Sequence, residues 1–395
     1  MKITQVHSIL NTMTGEILGK TDIVNEDLSN VVDIGKAIFD ATSVDAYVKK
    51  LVNHIGRVKF VDRVYNISTP SVLKEGWEFG SILEKIQMDI PESEENQTWS
   101  LQDGLEYKQD IFKSPKISTK FFNKAVTFEI PMSIADKQVK QSFSSASQLN
   151  AFFSMIYNRI DTRQTVDMEN LTLRTINNFT ATTIYSDYGS DDNLGSKSGT
   201  KAINLLYLYK QTIPEEQRKS ITPENCLSNL EFLKFASYQI MLYSDRLEKI
   251  STLFNIDKKE RFTPKEFQHI VLHSEFARSA DVYLQSDTFH NEFTKLPKAE
   301  IVTYWQGTGT DYNFSSTSDI HVNITNPNDN NETVEMVCGG ILGVMFDHEA
   351  LGVNNERQYV TSHYNAKGEF TNNFYKTFAQ YFNDYQENFI VFFVA

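Results

Sequence analysis

The chain has 395 residues, a formal net charge of −13 and two cysteines. A chain of this length can bury a large core and is expected to form two or three subdomains. The acidic balance argues against a protein that holds nucleic acid by neutralising phosphates, and two distant cysteines argue against a disulfide framework. The sequence contains no apolar run long enough for a membrane span and begins with no secretory leader, so we expect synthesis in the cytosol.

The first 57 residues are sparsely apolar and are predicted to form an arm. A helix is predicted at 44–55, where apolar residues recur at helical spacing, and Gly56 ends it. The preceding residues carry too little apolar surface to fold alone. We therefore expect this arm to pack on another part of the assembly.

Residues 58–116 are extended and polar, and they predict a long two-stranded excursion. One strand is predicted at 58–67 and its return partner at 77–86, with turn residues around Pro70 and Gly76 between them. Residues 91–114 read as an irregular surface segment. Because an isolated hairpin is marginal in water, we expect a neighbouring subunit to bury it.

The segment 120–184 predicts a strand followed by one very long helix. Alternation over 120–130 predicts the strand, which Pro131 is expected to close. Ser145 and Gln148 form a capping-box pair at the helix start. A helix of roughly 30 residues would be about 45 Å long, with a bend where the apolar pattern weakens at 161–165. An apolar stripe follows the cap and comprises Leu149, Phe152, Phe153, Ile156 and Ile160.

The remainder predicts a mixed helical and extended domain. A loop at 188–199 marks a boundary, and 200–295 is mostly helical around a buried strand at 269–273 and a helix at 274–284. A strand at 301–305, a hairpin tip at 326–331 and a strand pair at 334–346 broken by two glycines follow. The aromatic and β-branched run 378–394 is predicted as a terminal strand.

One stretch approaches a phosphate-binding motif. Residues 15–21 read Gly-Glu-Ile-Leu-Gly-Lys-Thr, one residue short of the P-loop spacing, with Thr14 where the first glycine is needed. A shortened loop cannot place all of its amides around a phosphate. Residues 341–349 resemble an apolar strand ending in acids, as magnesium sites use, but a nucleotide site remains the minor interpretation.

The histidines, serines and cysteines do not form a recognisable active site. His269 and His273 share a strand face near Glu275, and His348 lies between Asp347 and Glu349, but neither group has metal-ligand spacing. Serines at 142–147 are better explained by helix capping, and Cys226 and Cys338 by burial. We predict no enzyme activity and no catalytic, cofactor-binding or metal-binding residues.

The order of these parts resembles the major capsid proteins of tailed bacteriophages (the Johnson fold), nearest to short-tailed phages of Gram-positive hosts. Three segments carry the resemblance: 31–38 before the helix ending at 51–56, the strand at 128–136 before the long helix, and 373–394. The likeness covers most of the chain in the order of its elements.

The resemblance implies an α+β fold with named parts. Residues 1–57 would be the N-arm and 58–116 the E-loop. Residues 117–187, with the long spine helix, and the return segment 350–377 would form the P-domain. Residues 188–349 and the terminal strand at 378–395 would form the A-domain.

The resemblance further implies a coat protein that forms pentamers and hexamers and encloses double-stranded DNA in an icosahedral shell. Its partners would be other copies of itself, a separate scaffolding protein, a portal protein and DNA held by weak non-specific contact, with no membrane. It would be made in the host cytoplasm and reside in the virion capsid. The alternatives are another virion structural protein, an encapsulin-like compartment that binds cargo peptides, and a soluble nucleotide-using or hydrolytic enzyme.

Overall fold

The computed structural model of the chain describes residues 72, 83–93, 95, 103–104, 112, 114–135, 146–189, 194–286, 299–305, 319–327 and 329–395. Several expectations lie outside these residues: the arm helix at 44–55, the strand at 58–67, the near P-loop at 15–21 and the cap at Ser145. For residues 146–155 the backbone alone is described, so most of the predicted apolar stripe is also outside. Its last members, Ile156 and Ile160, are buried as predicted.

The described residues form twelve strands and five helices. The strands are β1 (Leu83–Met88), β2 (Ile117–Phe122), β3 (Ala125–Ala135), β4 (Ala202–Asn204), β5 (Gln268–His273), β6 (Glu300–Val302), β7 (Ile320–Asn326), β8 (Asp329–Cys338), β9 (Ile341–Asp347), β10 (Leu351–Asn365), β11 (Phe370–Asn383) and β12 (Phe389–Phe393). The helices are α1 (Ala146–Tyr188), α2 (Leu205–Thr212), α3 (Glu215–Arg218), α4 (Leu230–Leu247) and α5 (Ser274–Ser286).

A five-stranded sheet forms the centre of the molecule, in the order β4-β12-β9-β5-β6. Every residue of β9 and β12 is buried, because the sheet is covered on both faces. Alternate residues of β12 enter two different apolar clusters: Phe389 and Val391 join one with α1, while Ile390 and Phe392 join the other with α2, α4 and α5. Because successive side chains of β12 point to opposite faces of the sheet, this strand packs against α1 on one face and against the smaller helices on the other.

A second, three-stranded antiparallel sheet has the order β10-β11-β3, and α1 packs against all three strands. Two further antiparallel pairs complete the described architecture, β1 with β2 and β7 with β8. The β7–β8 pair also contacts α1, so the long helix lies between several sheets. This mixture of sheets and helices confirms the predicted α+β class.

The helix α1 is longer than the sequence predicts. It begins at Ala146, one residue after the expected cap, and runs for 43 residues. Threonine hydroxyls within it are hydrogen-bonded to the helix backbone. Thr175 Oγ1 donates to Leu171 O at 2.7 Å, and Thr183 Oγ1 donates to Phe179 O at 2.9 Å. The helix therefore continues through threonines, although their low helix propensity does not predict a helix there. The expected bend at 161–165 remains a prediction.

The single strand predicted at 120–130 is wrong in its bounds. The structure has two strands there, β2 and β3, and Pro131 lies inside β3 opposite Phe374 instead of closing it. In the described sheet β3 is an edge strand, where a missing backbone N–H costs little.

The terminal strand predicted at 378–394 is two strands in two sheets. β11 continues to Asn383 in the three-stranded sheet, and β12 begins at Phe389 in the five-stranded one. Between them Asp384 forms a turn, since its carbonyl accepts from Glu387 N at 3.1 Å and its carboxylate from Gln386 N at 3.1 Å. The aromatic residues on both sides conceal this turn in the sequence.

The strand pair predicted at 334–346 is broken at the predicted glycines, but β8 and β9 pair with other strands. β8 pairs with β7, and β9 with β12 and β5. Gly340 has φ +66, and a Cβ there would lie 2.2 Å from Val394 O, so glycine is required between the two sheets.

Other predicted elements agree with the structure more closely. The strand at 269–273 and the helix at 274–284 correspond to β5 and α5, and the loop after Tyr188 and the hairpin tip near 327 are present. The strand predicted at 301–305 is limited to β6, which ends at Val302. The described partner of β1 is β2, whereas the sequence predicts that this region pairs with residues 58–67.

Candidate functional site

The structure brings together two of the histidines singled out in the sequence. His269 Nε2 lies 2.9 Å from His348 Nδ1, and the two rings stack with centroids 5.1 Å apart. His273 lies elsewhere, with its ring stacked at 6.5 Å from that of Trp305. Burial lowers the pKa of His273 below its ordinary value, although Glu275 acts against this.

The acids around His348 serve the local fold. Asp347 accepts from Thr263 Oγ1 at 2.7 Å and from Glu349 N at 2.8 Å. Burial raises the pKa of Asp347, and these two hydrogen bonds act in the opposite direction. Among the residues that the structure describes, no three histidine, cysteine or acidic side chains are grouped to hold a metal ion.

Both cysteines are buried free thiols. Burial raises the pKa of Cys226 to about 11 and that of Cys338 to about 12. A thiol with such a pKa holds almost no thiolate at neutral pH, and the thiolate is the nucleophilic form. Packing is therefore the role that the structure supports for both.

The strand pair β1–β2 has an unusual distribution of side chains between its two faces. Lys85 and Gln87 of β1 and Lys120 of β2 are half-buried against the body of the protein. The alternate positions, which point away from the body, are mostly apolar. This arrangement reverses the usual one, in which the apolar face of a strand packs inward.

We call the β1–β2 pair the hairpin, and its outer face is an exposed apolar surface. Ile86 is 64% exposed, Met88 55%, Ile117 62% and Phe121 64%. Met88 lies directly opposite Ile117 in the register, so the two side chains share a face and can form a continuous patch. We call Ile86, Met88, Ile117 and Phe121 the outer patch. Contiguous exposed apolar surface is the signature of an interaction site.

The inner face is held by buried ion pairs with the turn between β11 and β12. Lys85 Nζ lies 2.8 Å from Asp384 Oδ2 and 2.7 Å from Glu387 Oε1. Lys120 Nζ lies 3.0 Å from the other oxygen of Asp384. The side chain of Asp384 has no exposed surface and that of Lys85 is 15% exposed, so solvent screens this cluster weakly.

The protonation of the cluster follows from these contacts. Burial alone would raise the pKa of Asp384, but the charges and hydrogen bonds of Lys85, then Lys120, outweigh it and hold the pKa below its ordinary value. Burial likewise opposes the charge of Lys85, but Asp384 and Glu387 raise its pKa above the ordinary value. Each partner stabilises the charged form of the other.

Further pairs attach the same hairpin to the loop after α4. Lys259 Nζ lies 3.2 Å from Asp89 Oδ2, and Lys120 Nζ lies 3.0 Å from Asp257 Oδ2. Arg261 also donates to Gln87 Oε1. The hairpin is thus attached by several charged contacts on one side while the outer patch is left uncovered by the described residues.

Sequence reasoning missed this cluster because its members are distant along the chain. Lys85 and Asp384 are 299 positions apart. The usable signal was the alternation in these short strands. Lys85, Gln87 and Lys120 fall on one face, and Ile86, Met88, Ile117 and Phe121 fall on the other. With the two strands paired, that alternation could have indicated which face packs on the body of the subunit and which face is exposed.

No described helix combines the length and the apolar character that crossing a membrane requires. A search of curated proteins found no match to the chain.

Solved phage structures resemble this chain at low sequence identity. A chain in the capsid structure of Staphylococcus phage Andhra is 9% identical with a TM-score of 0.45, and the match covers 85% of this chain and 87% of that chain. A chain in the structure of the head fiber and inner core protein gp22 of native bacteriophage P68 is 9% identical with a TM-score of 0.49 and the same coverages. A chain in the capsid structure of cyanophage P-SCSP1u is 10% identical with a TM-score of 0.44, covering 85% and 88%.

The family assignment rests on sequence. A model of the family described as "Phi29-like phage major capsid protein" matches residues 6–393, nearly the whole chain. The predicted resemblance to tailed-phage coat proteins is confirmed, together with the fold class that it implied. The chain belongs to the Phi29-like phage major capsid protein family, and it is a structural coat protein of a phage capsid that assembles with copies of itself.

Proposed function

We propose that this coat protein forms pentamers and hexamers that build an icosahedral shell around double-stranded DNA, and that the outer patch is buried by a neighbouring copy. The observation that carries the proposal is the hairpin, whose charged side is fixed to its own subunit while its apolar side is displayed. Exposing these apolar side chains does not stabilise an isolated monomer, whereas a shell subunit needs a preformed apolar surface for its neighbour.

The proposed parts follow the family pattern. The N-arm is 1–57, and the E-loop is 58–116, which includes β1. The P-domain comprises 117–187 and 350–377, which include α1, β3 and most of the three-stranded sheet. The A-domain comprises 188–349 and the terminal segment 378–395. The pairing of β12 inside the five-stranded sheet supports assigning the chain end to the A-domain.

The proposed partners beyond other copies are a separate scaffolding protein, a portal protein and packaged DNA. The net charge of −13 supports weak, non-specific contact with DNA over tight binding. We propose that the chain is made in the host cytoplasm, acts without cofactor or metal, and catalyses no reaction. The phage family favours DNA as the content of the shell over the cargo peptides of an encapsulin-like compartment.

The test replaces Ile117 and Phe121 together with aspartate and examines assembly by negative-stain electron microscopy, with and without the scaffolding protein. Both side chains are more than half exposed, so we expect the subunit to fold and its melting midpoint to move by about 2 °C or less. Shells and capsomer rings should disappear, because assembly would bury two carboxylates without partners.

The matched control is the double variant Gln211→Asp, Gln217→Asp, which adds the same two charges at exposed positions of α2 and α3. It should assemble like the wild type. Closed shells from the Ile117/Phe121 variant would refute the role of the outer patch, and a wild-type protein that stays monomeric under every condition would refute the shell.

A further inference from the structure

The contact between α1 and the three-stranded sheet has a polar centre. Along β11, Thr371, Asn373, Tyr375 and Thr377 alternate as buried residues, each at most 2% exposed. Asn372, Phe374 and Lys376, which lie between them, take the opposite face. The sheet therefore turns its polar side inward, toward the face on which Phe128 of β3 packs against the core that includes α1.

Several polar atoms on this buried face have no hydrogen-bond partner among the described residues. They are Asn373 Oδ1, Tyr375 Oη and Thr377 Oγ1 on β11, and Gln358 Oε1 on β10. Gln358 lies directly opposite Thr377 in the register, so the four atoms belong to one continuous area. Burial strongly raises the pKa of Tyr375, so its hydroxyl keeps its proton and can donate.

The buried side of α1 shows the same property. Asn170 Oδ1 and Thr180 Oγ1 lack described partners, although both residues are at most 1% exposed. By contrast, Thr175 and Thr183 bond to carbonyls within the helix. Buried polar groups without described partners thus occur on α1 as well as on the sheet.

Unpaired buried polar atoms are rare in folded proteins because each one costs free energy comparable to a lost hydrogen bond. Same-face residues of a strand are about 6.8 Å apart, a distance that one water can bridge when the side chains lean toward it. A buried water typically makes about three hydrogen bonds to such groups. Four polar atoms in one area provide the acceptors and donors that a short row of waters needs.

We propose that the contact between α1 and the three-stranded sheet binds a row of ordered buried water molecules, held by Asn373, Tyr375, Thr377 and Gln358. The C-terminal part of α1 is different, because Phe179 stacks on Phe389 at a centroid distance of 4.1 Å in an apolar cluster. The waters are therefore confined to the sheet side, and the other end of the helix is fixed by dry packing.

The test measures the thermal midpoints of Tyr375→Phe and Thr377→Val, which remove a hydroxyl and keep the shape. If waters occupy the contact, each variant breaks the hydrogen bonds of a bound water, and the midpoint should fall by roughly 2 °C or more. If the contact is dry, each variant removes an unsatisfied hydroxyl, and the midpoint should rise.

Thr361→Val is the matched control, since Thr361 is exposed on the adjacent strand β10 and should show almost no shift. High-resolution cryo-electron microscopy of the assembled shell provides the second readout. Water density within hydrogen-bond distance of Tyr375 Oη and Thr377 Oγ1 would support the proposal. Rising midpoints for both variants, or direct protein partners at these atoms in the shell, would overturn it.

Discussion

At the scale of single residues, Lys85 connects the hairpin to the body of the subunit, because its ammonium lies between the carboxylates of Asp384 and Glu387. Removing one partner of a buried ion pair leaves an uncompensated charge, which typically costs about 3–5 kcal/mol. Lys120 still contacts Asp384 and reduces that cost. We therefore expect Lys85→Met to lower the free energy of unfolding by roughly 3 kcal/mol at pH 7.

This destabilisation should depend on pH in a defined direction. The pKa of Asp384 is held below its ordinary value, so its contribution to stability is present above the unfolded pKa of about 4 and is lost as pH falls through the folded pKa. A protonated Asp384 no longer needs a cation. The difference between wild type and Lys85→Met should therefore shrink as the pH is lowered from about 7 to about 3.

Urea unfolding of the unassembled subunit at several pH values measures this difference. Lys116→Met is the control, since Lys116 pairs with Glu92 at the surface, where the side chains are 75% and 83% exposed. It should change the unfolding free energy by about 0.5 kcal/mol or less at every pH. A Lys85→Met effect that stays constant down to pH 3 would show that the lost stability comes from packing instead of charge.

At the scale of elements, α1 is fixed to the five-stranded sheet by aromatic packing. Phe179 has no exposed surface, stacks on Phe389 and meets the ring of Tyr385 edge-on at 5.1 Å. Phe179→Ala should lower the free energy of unfolding by about 3–5 kcal/mol, because it removes a buried ring and leaves a cavity. Denaturant titration with circular dichroism measures the loss.

The control for this prediction lies on the same helix. Arg159 is exposed on that helix, so Arg159→Ala should cost about 0.5 kcal/mol or less. If both variants lost equal stability, the aromatic contact would not be what fixes α1 to the sheet.

The elements that sequence reasoning found are those with strong local signals. The apolar stripe and continuous chain without glycine or proline predicted the start of α1, and the apolar run at 389–394 predicted β12. The length of α1 was underestimated because Thr175, Thr182 and Thr183 have low helix propensity. In the structure, each threonine hydroxyl donates to the carbonyl four residues earlier in the helix. Local propensity cannot register a hydrogen bond that forms only within the helix.

The elements that it missed depend on contacts between distant parts of the chain. Pro131 is tolerated within β3 because of the position of that strand in its sheet, and the division between β11 and β12 depends on Asp384 receiving Lys85 and Lys120. The sequence predicts a hairpin of 58–67 with 77–86 that needs a neighbour. The described pairing is instead β1 with β2, and its register and charged attachment could not be derived without the fold. Sheet pairing is determined by tertiary context more than by local pattern.

At the scale of the whole molecule, self-assembly must bring together subunits that each carry a formal charge of −13. Like charges oppose this approach, while the outer patch contributes an apolar contact that salt does not weaken. Added salt shortens the Debye length from about 14 Å at 50 mM to about 5–6 Å at 300 mM and so screens the repulsion.

We therefore expect assembly, followed by light scattering, to become faster between 50 mM and 300 mM NaCl, by roughly tenfold if screening removes about 1.4 kcal/mol of repulsion from the barrier. The pairs of Lys85 with Asp384 and Glu387 act within one subunit and are shielded from solvent, so salt should leave the outer patch in place. Scattering that grows more slowly in salt would mean that ion pairs between subunits govern the contact. The Ile117/Phe121 variant separates the two cases, because a shell driven by charge pairs would tolerate loss of the apolar patch, and one driven by apolar burial would not.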